Sequence, residues 1–152
     1  MENQINVELL AEDLDLILQS IVTIREKMPF LVRLTPEEKK TLAMMDDGRA
    51  PFTEKAIDYA GHEPALNPNE TLLDESRKDI SLYESLGSVE RELSRLTEMV
   101  SDTRMLAGAE AYETARIIYK MAKIAASMSV PGTKTIVDDL GKLYQRQGKT
   151  QK

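Results

Sequence analysis

The chain is 152 residues long, 41% hydrophobic and 30% charged, an ordinary globular balance and enough length for one domain with a packed core. With 20 basic against 26 acidic side chains, the formal net charge of −6 argues against a broad nucleic-acid surface, which needs a basic excess. There is no cysteine, which excludes disulfides, thiolate metal sites and cysteine nucleophiles.

The N-terminal stretch MENQINVELLAEDLD lacks the basic-then-apolar pattern of a secretion signal. No apolar run approaches the ~20 residues that a membrane span requires. These features set the expectation of a soluble, cytoplasmic protein that engages neither membrane nor nucleic acid.

Helical periodicity predicts a first helix over 5–28. Val7, Leu10, Leu14, Ile17, Leu18, Ile21, Ile24 and Met28 fall on one face. Glu8, Glu12, Asp13 and Asp15 crowd its start while Arg25 and Lys27 sit near its end, an order that complements the helix dipole. Pro29 ends it. Ile5, Leu9 and Leu16 project about a quarter turn or more from that face, as a second and shorter stripe. Its burial partner is either the short helices around Thr35–Asp46 and Pro51–His62 or another copy of the chain. The sequence reading leans to the second copy, because two-fold dimers are the commonest oligomers.

In LTPEEKKTLAMM, Thr35 is placed to cap a short helix, with Pro36 at its first position and Glu38 completing a capping box. The turn residues MDDG (Met45 to Gly48) break it, and a further short helix follows from Pro51 to His62. GHEPALNPNET reads as a connection. A long helical region starts at about Asp74, with Ile80, Tyr83, Leu86, Val89, Leu93, Leu96, Val100 and Thr103 at spacings of three and four. Gly87 allows a kink or break in it.

In MLAGAEAYETARIIYKMAKIAASM, Ala111, Ala115, Ile118, Ala122 and Ala125 make one stripe, and Ile117, Met121, Ile124 and Met128 another. A helix apolar on two stripes is expected to be central. One unbroken helix over 88–128 would be about 60 Å long, too long for an ordinary domain of this size. The expectation is therefore a reversal or sharp bend between Arg104 and Gly108, although no proline or turn cluster marks it. Gly108 then signals a special backbone angle or a close helix contact, and leucine there is expected to destabilise the fold.

VPGTKTIVDDL (Val130 to Leu140) sets glycine, lysine and threonines together as phosphate loops do. A Walker-type loop, however, needs a strand before GxxxxGK[ST]. Here a helix precedes, the first glycine is missing and the spacing is wrong. Pro131 and Gly132 fit a turn instead, with Thr133 placed to cap a last helix whose apolar face is Ile136, Val137, Leu140 and Leu143.

Together, LTPEEKKTLAMMDDGRAPFTEKAIDYA, SDTRMLAGAEAY and VPGTKTIVDDL resemble the recurring blocks of a family of small, uncharacterised bacterial all-helical proteins. The similarity covers roughly Leu34 to Leu140. It implies a helical fold and a shared role, and it carries over no functional residues.

Reactive chemistry is sparse. Glu54, Asp58 and the sole histidine, His62, lie four apart on one helix face. Carboxylate di-iron bundles need a Glu-x-x-His motif on each of two helices, so the reading is an Asp58–His62 pair near a helix end, with no metal or cofactor. Asp46 with Asp47, Asp74 with Glu75, and Asp138 with Asp139 read as loop or helix-start charges, because nothing sets two of them across a cleft. No serine stands in a nucleophile-elbow context, and no catalytic residue is assigned.

The expected architecture is all-α, a helical bundle of three long segments (5–28, 74–104 and 107–128) plus shorter helices. It forms a single domain over 1–145, followed by a disordered polar tail over 146–152. The leading functional expectation is a non-catalytic helical interaction or scaffold protein, a candidate homodimer or binder of another protein chain through Ile5, Leu9 and Leu16. The alternative is a small-molecule binder or unrecognised enzyme with a pocket near Tyr112, Tyr119 and the Met44–Asp47 loop.

Overall fold

The computed structural model describes residues 4–146. Among them the chain is all-α: α1 (Ala11–Lys27), α2 (Pro36–Thr41), α3 (Ala50–His62), a 3-10 turn (Pro64–Leu66), α4 (Glu70–Ser127) and α5 (Thr133–Arg146), with no strand. Contacts gather the chain into two units, Glu8–Arg95 and Leu96–Lys152 together with Met1–Val7. The polar tail expected from residue 146 begins at the last residue of α5, and 147–152 lie outside the described residues.

In the unit Glu8–Arg95, α1 starts six residues later than its periodicity suggests. Leu10 stands at the cap position in an extended conformation and supplies no side-chain hydrogen bond. The apolar spacing runs on through Val7 and Leu10, but no Ser, Thr, Asp or Asn holds the first free N–H groups there. At the other end the Met28 N–H returns to the Arg25 carbonyl, after Arg25 and Lys27 have filled the last turn.

The capping box of α2 forms as its sequence predicts. The Glu38 N–H donates to Thr35 Oγ1 at 3.2 Å, and the Thr35 N–H donates to Glu38 Oε2 at 2.7 Å. These bonds hold the Glu38 carboxyl below its ordinary pKa, the backbone donor first and the Thr35 hydroxyl second. The contribution to α2 is present above the ordinary carboxylate range and is lost as pH falls through the depressed value. Between α2 and α3, Asp46 closes the turn by accepting from the Arg49 N–H at 3.0 Å and from Arg49 Nη1 at 3.0 Å.

The connection before α4 contains that helix's cap. Asn69 Oδ1 accepts from the Leu72 N–H at 2.7 Å, and Asn67 Nδ2 donates to Glu70 Oε1 at 2.7 Å. α4 therefore starts at Glu70, ahead of the expected Asp74. Leu73, 4% exposed, sits one turn inside and is the only buried hydrophobic side chain among the described residues. Nearby, the Arg77 guanidinium, which Asp74 holds at 3.1 Å, reaches from α4 to Gly61 of α3, where a methyl group would run into it.

The reversal expected between Arg104 and Gly108 does not occur, because α4 is one unbroken helix from Glu70 to Ser127. The segments 74–104 and 107–128 are parts of a single element. Gly108 has regular helical backbone, and nothing lies within 4 Å of a Cβ placed on it. Gly108 therefore marks neither a special backbone angle nor a close helix contact at the Cβ position.

What keeps α4 continuous is its composition and a pattern that joins the two stripes. Leu82, Leu86, Val89, Leu93, Leu96, Val100, Thr103, Ala107, Glu110, Thr114, Ile117, Met121 and Ile124 alternate by four and three without a slip. That is the heptad spacing of helices that pair. Gly87 and Gly108 fall off this row, at the same place in the repeat. One such glycine costs only about 1 kcal/mol against alanine.

In the other unit, α4 ends in a Schellman motif. The Val130 N–H reaches the Ala125 carbonyl at 3.1 Å and the Ser129 N–H reaches the Ala126 carbonyl at 3.1 Å. Ser129 takes the left-handed position at φ 57°, and Gly132 makes the second unusual angle at φ 81°. The turn expected at Pro131–Gly132 is present, but Thr133 is the first residue of α5 and not its cap. Its hydroxyl donates back to the Val130 carbonyl at 2.6 Å.

Ser129→Gly removes a left-handed strain that serine bears and glycine does not, so it should stabilise the protein by about 1 kcal/mol. Gly108→Ala, on an open helix surface, should add a similar amount. Thermal denaturation followed by circular dichroism checks both, and a lowered midpoint for either contradicts this description of α4.

Candidate functional site

The row of Glu54, Asp58 and His62 on α3 ends in a solvent-exposed Asp58–His62 pair. His62 Nδ1 lies 3.5 Å from Asp58 Oδ1 and 2.8 Å from the Asp58 carbonyl oxygen, with both side chains exposed. Among the described residues, no three His, Asp or Glu side chains converge as ion ligands would.

Tyr112 and Tyr119, one heptad apart on α4, have different surroundings. Tyr112 is 44% exposed. Tyr119 is half-buried and is the contact through which α5 meets α4. Its ring lies 5.6 Å from that of Tyr144 at 34°, and Lys123 Nζ stands 4.5 Å from the ring centroid. Gly141 makes the approach feasible, since a Cβ there would come within 3.1 Å of the Tyr119 hydroxyl. Val137, Leu140 and Gly141 are half-buried, while Ile136 and Leu143 remain exposed. The Met44–Asp47 loop belongs to the other unit.

Ile5, Leu9 and Leu16 do not form a stripe on one helix. Ile5 and Leu9 precede α1, and only Leu16 is on it. Leu9 and Leu16 are 58% and 67% exposed. Ile5 is half-buried and belongs to the unit of α5, where an open groove of about 420 Å³ is lined by Ile5, Val7, Ala107, Glu110, Ala111, Glu113, Thr114 and Ile117. The Gln4 N–H donates to Glu110 Oε1 at 2.6 Å. Residues 4–7 thus lie against α4 in non-helical form. Sequence reasoning missed this groove, whose signal is the interruption of the apolar row by Ala107, Glu110 and Thr114.

A second open depression, of about 900 Å³, lies where α1 ends, between Val22, Arg25, Met28, Leu31 and Arg33. No helix among the described residues is long and apolar enough to cross a membrane. Comparison with protein-family models, with curated proteins and with solved structures found no match.

The most extensive feature is exposed apolar helix surface. On α1, Leu14, Leu16, Ile17, Leu18, Ile21 and Val22 are all exposed. On α4 the heptad row is exposed at Leu96, Val100, Ile117, Met121 and Ile124.

The Tyr119–Tyr144 contact is worth roughly 1 kcal/mol beyond the area it covers. Tyr144→Ala should therefore loosen α5 and speed amide hydrogen exchange in 133–146 several-fold, leaving 96–127 unchanged. Unaltered protection of α5 would show that the ring pair does not hold it.

Proposed function

We propose that this chain is a non-catalytic helical interaction protein that associates with a second copy of itself through apolar helix faces. The observation that carries the reading is the mismatch between exposed and buried apolar side chains. Leu73 is buried, whereas Leu10, Leu14, Ile17, Ile21 and Ile24 of the α1 face are all exposed. Burying one large aliphatic side chain is worth ~1.5–3 kcal/mol. These five are each roughly half exposed, so covering them would contribute on the order of 4–8 kcal/mol, a large share of the stability of a typical domain. An exposed apolar face supports the reading of an interaction site.

A second copy is the simplest cover. The α4 row has the alternation of four and three that lets one helix seat its side chains between those of another, and a helix face pairs readily with its own copy. The net charge of −6 supports a protein surface over a nucleic acid as partner. The inventory of reactive groups supports a role without chemistry, with one histidine in the chain, hydrogen-bonded to its own helix.

Light scattering at micromolar concentration should give the wild-type chain a mass above that of the 17.1 kDa monomer. Leu10→Glu with Leu14→Glu changes two exposed side chains of the α1 face and should shift the mass to that of the monomer while helicity stays the same. A monomeric wild type would refute the proposal, and a double variant that unfolds would assign both leucines to the core of the single chain.

A further inference from the structure

Within the unit that holds α5, the heptad row on α4 changes character along its length. Leu96 and Val100 precede, Ile117, Met121 and Ile124 follow, and between them stand Thr103, Ala107, Glu110 and Thr114. A row meant only for helix pairing has no use for a carboxylate at its centre, which would be desolvated without a donor. The structure supplies that donor. The Gln4 N–H meets Glu110 Oε1 at 2.6 Å, Ile5 is half-buried beside it, and Val7 stands at the rim, 85% exposed. Ala107 and Ala111 leave room for the segment to approach the helix.

We propose that residues 4–7 form a strap that occupies the middle of the α4 row and competes with a second copy of the chain for it. This rests on the self-association reading above. The residues that hold the strap, Ala107, Glu110, Thr114 and Ile117, are themselves positions of the row, so strap and partner helix exclude each other there. Among the described residues, the Gln4 N–H and the half-buried Ile5 side chain set the strap against α4. The strap joins α1 through the non-helical Glu8–Leu10, so it can leave without unwinding that helix, whose first turn is closed by the Leu14 N–H on the Leu10 carbonyl. With the strap seated, association is confined to other faces such as that of α1, and its departure adds the α4 row.

Two full-length variants release the strap. Ile5→Asp with Val7→Asp sets like charge against Glu110, and Gln4→Pro deletes the donor N–H without adding charge. Sedimentation equilibrium should show self-association at least tenfold tighter than wild type for the first and a smaller gain for the second, with helicity unchanged. A synthetic peptide of residues 1–9, added in excess to the released variant, should reverse the gain, and the same peptide carrying both aspartates should not. If the wild type associates and release leaves the constant unchanged, or the wild-type peptide fails to reverse it, the strap is overturned while self-association stands. If all three chains are monomeric, both readings fall.

Discussion

A helix in water owes little of its stability to intrinsic propensity. Most comes from covering its apolar face. In this chain the cover is largely missing. Apolar side chains line α1 and α4, yet only Leu73 among the described residues is buried. The other features follow from that imbalance, because the helices are defined by local interactions and their apolar faces are left exposed.

The local interactions are well made. Thr35 and Glu38 satisfy the start of α2 reciprocally, Asn69 caps α4, and a Schellman turn closes it at Ser129. Such devices contribute about 1 kcal/mol each, enough to fix where helices begin and end but not to build a core. Where side chains do join helices they are long ones reaching past glycines, Tyr119 towards Gly141 and Arg77 towards Gly61. A continuous α4 suits this economy. With Leu73 the only buried apolar side chain among the described residues, the helix follows its own preference through Gly87 and Gly108.

Much of this was legible in the sequence, and the limits have physical causes. The all-α class, the capping box at Thr35 and the turn at Pro131–Gly132 were readable because each depends on neighbouring residues. The start of α1 was not, because apolar periodicity at Val7 and Leu10 continues where no cap holds the backbone. The unbroken α4 was hidden by an assumption about domain size. The residues between Asp102 and Gly108 contain no breaker, and the heptad row crosses them intact. Of the candidate residues, Leu9 and Leu16 are exposed, while Ile5 lies against Ala107–Ile117 instead of joining them. That placement depends on contact between residues about a hundred positions apart, which no local pattern encodes. Tyr119 was singled out for a pocket, but its ring is taken up by Tyr144 and Lys123, a contact that depends on the approach of α5.

The central claim is that the apolar faces of α1 and α4 are completed by another copy of the chain. Its most direct test is the thermal midpoint, followed by circular dichroism at 222 nm, over a hundredfold range of chain concentration. Association that stabilises the folded state makes the midpoint depend on concentration. The account predicts a midpoint that rises steadily with concentration, and a midpoint that stays constant across the range would contradict it.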